Sequence, residues 1–318
     1  MKNKLLSLAS LLAVFSAKAV EIGPTGSGVE MSGFIDIAFT DQTDTNQATD
    51  IGQVEFNFDY STGPVSASVG FDVGGNNAAG DNLEQATITY DLGNGFSITA
   101  GKMLTYMGFE AYDPTNMYQY SYAYDGGDAV NNGQTIYDAY DVGVSVDYAT
   151  DTYSIGVWTS AENSAGYELA LAYTGIENFT AKAIWSDFSD QTGGPSYTKN
   201  TYWVSYQFGS LLLAGEIAEA DYKSTNDTGP NSDDKDGFLV MGNYGFTDSI
   251  ALTLRYSVEE TSLWDSEALT SDIGKFTISP SYVFTDNLSG LVEFSTYDED
   301  VAGVEIEDLL AVELIYTF

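Results

Sequence analysis

The side chains of this sequence that could do chemistry are carboxylates. One segment carries Glu110, Asp113, Asp125 and Asp128, interleaved with Tyr118, Tyr120, Tyr122 and Tyr124. A second set alternates with apolar residues along the chain: Asp36, Glu55, Asp59, Asp72, Asp141, Asp147, Glu168, Glu216, Glu293 and Glu313. Lys182, Arg255 and Lys275 are the bases in comparable positions. Fixed carboxylates attract cations, a pair at the right separation can hydrolyse a glycoside, and a suitable cluster can hold calcium. Alternation alone does not set two carboxylates at a hydrolytic separation. The acidic run at 231–237 lacks the bidentate Glu of a calcium loop and reads as a solvated turn. There is no His and no Cys, which removes structural zinc, His-activated nucleophiles and disulfides. No cofactor, no metal and no enzyme activity are expected.

The wider composition sharpens this. The chain has 318 residues with 47 Asp+Glu against ten Lys+Arg, and three of those bases are Lys2, Lys4 and Lys18. Nucleic-acid binding needs a basic footprint, so that class is excluded. Tyr (23), Phe (17) and Gly (32) are abundant while Pro (6) is scarce, and disordered chains are poor in aromatics. The chain therefore folds, with a bias toward strands.

Residues 1–19 have the form of a secretory leader. Lys2 and Lys4 precede an apolar stretch from Leu5 to Phe15, and Ala17-Lys18-Ala19 is a small-x-small cleavage site. That stretch is too short to cross about 30 Å of hydrocarbon as a helix. The expected division is a cleaved leader, 1–19, and one domain, 20–318.

Along 20–318 the dominant signal is a period of two. Val54, Phe56, Phe58 and Tyr60 share one face, with Glu55, Asn57 and Asp59 opposite. The same dyad runs through Tyr140, Val142, Val144, Val146 and Tyr148, then Ile250, Leu252, Leu254, Tyr256 and Val258, then Leu310, Val312, Leu314, Tyr316 and Phe318. Sixteen such segments are expected, near 29–40, 52–61, 65–74, 83–92, 96–105, 135–148, 153–160, 167–174, 179–188, 200–208, 211–221, 238–246, 250–259, 274–284, 288–298 and 308–318. Tight connections such as Gly93-Asn94-Gly95 and Thr247-Asp248-Ser249 alternate with longer polar ones.

Sixteen strands of nine to eleven residues exceed an ordinary sandwich and match the length needed to span a bilayer when tilted. Aromatics such as Tyr60, Phe96, Tyr148, Tyr153, Phe208, Phe284 and Tyr316 end the apolar faces, as interfacial girdles require. The expected fold is all-β: a transmembrane antiparallel up-and-down barrel with apolar residues toward lipid and carboxylates toward a water-filled interior.

The ending Leu314-Ile315-Tyr316-Thr317-Phe318, and the turns at 246–250 and 284–288, resemble a Gram-negative outer-membrane porin. The stretch 101–110 (Gly-Lys-Met-Leu-Thr-Tyr-Met-Gly-Phe-Glu), with Asp113-Pro114-Thr115-Asn116 and Ser121 after it, is similar to the OmpL-like beta-barrel porin family. The resemblance implies location in the bacterial outer membrane and a signal read by the barrel assembly machinery. Lipid and lipopolysaccharide are implied as surroundings, and a homotrimer as an assembly. It also implies that the longest connection, Tyr106 to Gln134 between strands five and six, folds into the barrel and narrows it. Glu110, Asp113, Asp125, Asp128, Tyr118, Tyr120 and Tyr122 would then form the constriction. Glu55, Asp59, Asp72, Asp141, Glu168, Lys182, Glu216, Arg255, Lys275 and Glu293 would line the wall. General porins set a ladder of Arg opposite such acids. Here the expected wall bases are only Lys182, Arg255 and Lys275, and Lys102 points outward unless a bulge at Gly101 turns it.

The expected function is passive diffusion of small hydrophilic solutes and ions, with a preference for cations. The alternatives are a saccharide-selective pore, with tyrosines stacking on sugar rings, and a structural or adhesive barrel without channel activity. The tyrosine series favours packing of the loop over sugar binding.

Overall fold

A computed structural model describes residues 19–42, 46–73, 82–110, 113–124, 135–137, 139–161, 166–188, 196–223, 233–263, 268–299 and 306–318. The leader assigned to 1–19 lies, apart from Ala19, outside them, as do Asp125 and Asp128.

A two-residue strand, β1 (Val20–Glu21), precedes sixteen long ones: β2 (Val29–Gln42), β3 (Asn46–Thr62), β4 (Val65–Asp72), β5 (Leu83–Gly93), β6 (Phe96–Leu104), β7 (Tyr140–Ala149), β8 (Tyr153–Ser160), β9 (Tyr167–Tyr173), β10 (Phe179–Phe188), β11 (Ser196–Phe208), β12 (Leu211–Lys223), β13 (Asp233–Gly245), β14 (Ile250–Leu263), β15 (Ala268–Thr285), β16 (Leu288–Glu299) and β17 (Leu309–Thr317). Each long strand pairs antiparallel with the next, and β17 returns to β2 in the register Thr317↔Phe34 to Leu309↔Gln42. The result is a closed up-and-down barrel without a free sheet edge. Phe318 completes the seam by exchanging two backbone hydrogen bonds with Gly33, each of 3.0 Å. A side chain at Gly33 would run into the Glu55 carbonyl and the Phe318 ring, so the closure requires glycine there.

Burial is inverted relative to a soluble protein. Phe208, Ile88, Phe246 and Ile217 are 71%, 61%, 59% and 55% exposed, whereas Arg255, Lys275, Glu293 and Thr277 are at most 1% exposed. A sheet whose greasy face looks outward and whose charges look inward is stable only when lipid covers the outside. Aromatics crowd the rim that carries the short turns. There Phe96 packs on Tyr148, Tyr244 on Phe246 and Tyr282 on Phe284, with ring centroids 4.5, 4.9 and 4.9 Å apart. The Gly93-Asn94-Gly95 turn holds all three residues at positive φ (78°, 56° and 87°), as a tight strand reversal demands.

All sixteen expected segments are present, and their ends at the short-turn rim agree closely with the sequence reading. Differences concentrate at the opposite rim. There β3, β11, β13 and β15 begin four to six residues earlier than their apolar alternation does, and β14 runs four residues further. Backbone pairing continues past the point where one face stops meeting lipid, so the dyad fades before the strand does. For the same reason the connections at 43–45 and 264–267 are short, and the expected alternation of short and long connections is not strict. β7 begins at Tyr140 rather than near 135, because Thr135 bonds instead to the Tyr222 hydroxyl across the interior.

The outward placement of Leu254, 44% exposed, gives a direct check. Leu254→Arg should destabilise the barrel by about 2–4 kcal/mol in lipid vesicles, read from guanidinium unfolding. A change near zero would mean that this face does not contact hydrocarbon.

Candidate functional site: the inner wall and the segment it holds

The inner wall is two-sided. On β9 to β13 the inward positions Ala170, Ile184, Trp203, Ala214, Leu239 and Met241 are apolar and form one cluster with Met107, Phe109 and Ala123 from the segment joining β6 to β7. Tyr106, Tyr118, Tyr124 and Tyr137 pack around that cluster. Phe109 meets Trp203 edge-on at 5.5 Å, and Tyr124 meets Tyr137 at 5.4 Å. Tyr118 and Tyr124 are thus packing residues. Alternation along β10, β11 and β13 puts Ile184, Trp203, Leu239 and Met241 on the inward face, a signal that part of the inner wall is covered which the sequence reading above did not use.

The described stretches of the segment are held by wall carboxylates. Glu168 accepts from the Thr105 hydroxyl (2.6 Å) and the Tyr106 amide (3.0 Å). Asp147 accepts from the Tyr106 hydroxyl at 2.7 Å. Glu216 accepts from the Phe109 amide at 3.1 Å and from the Tyr137 hydroxyl. Glu293 accepts from the amides of Tyr120 (2.7 Å) and Ser121 (3.0 Å) and from the Ser121 hydroxyl. Backbone N–H groups away from water need acceptors, and charge-assisted bonds of this type are the stronger kind. The wall carboxylates picked out by parity therefore serve in large part as anchors.

The bases do the complementary work. Arg255 donates to Glu110 (2.6 Å), to the Ser121 carbonyl (2.7 Å) and to the Tyr122 carbonyl (3.2 Å). Lys275 donates to the Tyr122 carbonyl at 2.9 Å. Glu110 also accepts from the Gln119 amide and the Ala123 N–H, both at 2.7 Å. The count of three wall bases was too low. Lys199 and Lys235 are also buried on the inner side, at 0% and 1% exposure. Lys199 pairs in register with Ser186 and Ala220, and Lys235 with Ala220 and Thr261. Lys199 lies against the rings of Tyr197 and Tyr222, and Lys235 against Glu259 at 3.3 Å. Lys182 sits over the Trp203 ring at 5.3 Å. Five bases on β10, β11, β13, β14 and β15 thus form a positive sector that the sequence did not disclose, since Lys199 and Lys235 precede the apolar alternation of their strands.

Facing them across β3 to β5 is an acidic sector. Glu55 is 4% exposed, whereas Asp72 and Glu84 are only partly buried. Asp59 is exposed and lies near the short-turn rim. Asp141 is half-buried, accepting from its neighbour's amide at 2.6 Å and from Ser160. Asp113 of the segment stands among Glu55, Glu84 and Asp72, and its carboxyl is pushed up to about 6, chiefly by burial, with a hydrogen bond to Glu55 opposing the shift and the charge of Asp72 adding to it. Lys102 keeps the register of β6 opposite Ala86 and Val142, with no slip at Gly101, and its ammonium donates to the Leu83 carbonyl at 2.7 Å. Gly101 has φ +138° and passes so close to the Ala86 carbonyl that a side chain would collide with it.

Beneath the segment, toward the short turns, lies a cavity of about 1000 Å³. Pro114, Thr115, Met117 and Tyr118 form one side of it, with Thr247, Asn287 and Glu313 opposite.

A protein-family model described as "Putative beta-barrel porin-2, OmpL-like" matches residues 31–318. Among solved structures, the in-vitro folded outer-membrane protein OmpT of Vibrio cholerae superposes with a TM-score of 0.70 at 15% identity, covering 95% of this chain and 100% of that one. Salmonella typhi OmpF, in complex with daunomycin, gives 0.69 at 15% identity over 94% and 100%. An anion-selective porin from Comamonas acidovorans gives 0.66 at 15% identity over 91% and 99%. At this identity the likeness is one of fold. Among curated proteins no match was found.

The Arg255–Glu110 pair gives a prediction about the segment. Removing one member of a buried ion pair costs about 3–5 kcal/mol, so Arg255→Ala should undock the segment while leaving the barrel closed. Protease cleavage between 105 and 139 should rise on the order of a hundredfold or more, with the folded barrel's gel mobility retained. Unchanged protection would mean that the pair does not hold the segment.

Proposed function

The chain belongs to the beta-barrel porin-2, OmpL-like family, and on that premise we propose that it is a passive channel for small hydrophilic solutes, with a preference for cations. It is an outer-membrane barrel of porin type, and sixteen strands enclose a space wide enough for water. In this reading residues 1–19 are removed on export. The segment between β6 and β7 is the constriction, with Glu110 and Asp113 in it. The barrel works by diffusion and not by catalysis, and it sits in lipid and lipopolysaccharide as a homotrimer inserted by the barrel assembly machinery. One solved neighbour, OmpT of Vibrio cholerae, is described in a trimer form.

A single observation carries the ion preference. Arg255, Lys275, Lys199, Lys235 and Lys182 are all at most 8% exposed and lie against carbonyls, carboxylates or rings. Asp59 and Asp72 on the opposite sector keep exposed surface. Arg255 and Lys275 are engaged in holding the segment and the three lysines are covered by wall side chains, so the charge left facing water is negative. Fixed charge of one sign in a low-dielectric tube concentrates counter-ions and repels co-ions. The shared fold with an anion-selective porin leaves this preference to the side chains.

Planar-bilayer recording of the refolded mature chain tests both parts. Stepwise conductance is expected, with a reversal potential in a KCl gradient that favours K⁺. That preference should shrink between 0.1 and 1 M salt as the screening length falls from about 10 to about 3 Å. Absence of steps would refute the channel, and anion preference would refute the electrostatic reading.

A further inference from the structure

Strict alternation from Ile88 and Tyr90 would point Glu84 at lipid. The register between β4 and β5 slips there: Gly70 opposes Gln85 and Phe71 opposes Leu83, so Glu84 has no partner across the ladder. An extra residue of this kind re-aims its side chain, and the Glu84 carboxylate arrives beside those of Glu55 on β3 and Asp113 in the segment. One oxygen from each of the three lies within 4.8 Å of the others. Two oxygens on opposite sides of a calcium ion, each at about 2.4 Å, are about 4.8 Å apart, so the three fit around one hard cation.

A second observation is independent of the clustering. The Asp113 carboxyl is hydrogen-bonded to Glu55, but its Oδ1 and Oε2 of Glu84 are shielded from solvent and have no hydrogen-bond partner. Buried polar atoms are ordinarily satisfied, and such exceptions mark a missing partner. Glu55 is differently placed, accepting from Asn57 (2.5 Å) and Gln53 (3.4 Å), which orient it. Lys102 is the cation whose charge reaches Glu84, while Asp72 adds a fourth negative charge to the group. The site therefore has an excess of carboxylate, two shielded oxygens without donors, and all-oxygen chemistry, which selects Ca²⁺ or Mg²⁺ over softer metals.

We infer that Glu55, Glu84 and Asp113 form a divalent-cation site that ties the segment to the β3–β5 wall. With such an ion bound, the acidic sector loses about two charges and the segment gains a further fastening, on the side away from Arg255 and Glu216. The inference concerns binding and does not need the channel reading to be correct.

The test uses the folded mature chain in detergent, stripped with chelator and then titrated with Tb³⁺ as a luminescent stand-in for Ca²⁺. The phenols of Tyr122 and Tyr140 lie within the electrostatic reach of Asp113 and Glu84 and can sensitise the emission. One Tb³⁺ per chain, displaced by Ca²⁺, is expected, with binding at least tenfold weaker in Glu84→Gln and in Asp113→Asn. Asp151→Asn, in an exposed turn, should leave it unchanged. Asp113 lies outside the barrel strands, so its variant reads the site even where Glu84→Gln fails to fold. No Ca²⁺-displaceable emission, or equal affinity in Asp113→Asn and the unaltered chain, overturns the site. A chain that binds one ion but gives no conductance keeps the site and loses the channel.

Discussion

The interior of this barrel depends on carboxylates accepting hydrogen bonds from backbone that has entered it. A wide cylinder of sixteen strands leaves a space that its own inward side chains do not fill. Chain placed in that space brings unpaired N–H groups with it, and each one away from water needs an acceptor. Glu168, Glu216 and Glu293 provide acceptors from three separate strands. Arg255 and Lys275 do the reciprocal job for the carbonyls of Ser121 and Tyr122. Without these bonds the apolar contact between Phe109 and Trp203 would bury a row of orphaned amides, and the packing would not compensate for them.

That arrangement divides the inner surface by charge and by use. On the β9–β15 side, apolar residues, Arg255 and Lys275 hold the segment. On the β3–β5 side Glu55 is buried, while Asp59 and Asp72 keep exposed surface. The separation follows from packing: where the segment excludes water, charges must be paired or hydrogen-bonded, and where water remains, as at Asp59, a charge can stay solvated. The outside of the barrel answers to a different constraint. Ile88, Phe208 and Ile217 can be exposed only because hydrocarbon covers them.

Local register turns out to matter as much as residue type. Glu84 reads as outward by its neighbours and reaches the acidic sector only because β4 and β5 slip by one residue. Lys199 and Lys235 read as loop residues and become buried wall bases because pairing continues beyond the lipid-facing zone. In both places the neighbouring strand sets the outcome, so the information is absent from the segment that contains the residue.

The amino-acid order by itself determined the sixteen strands, their faces, the tight turns and the inward side of Glu55, Glu168, Glu216, Arg255 and Glu293. The strands and faces follow from a period of two and the turns from Gly, Asn and Asp, both properties of a few consecutive residues. Tertiary structure decided which inward groups meet. The contacts of Glu293 with Tyr120 and Ser121 join residues 173 and 172 positions apart, and Arg255 meets Glu110 across 145. A local pattern says which way a side chain points, but what it meets there depends on the path of chain folded back from far away.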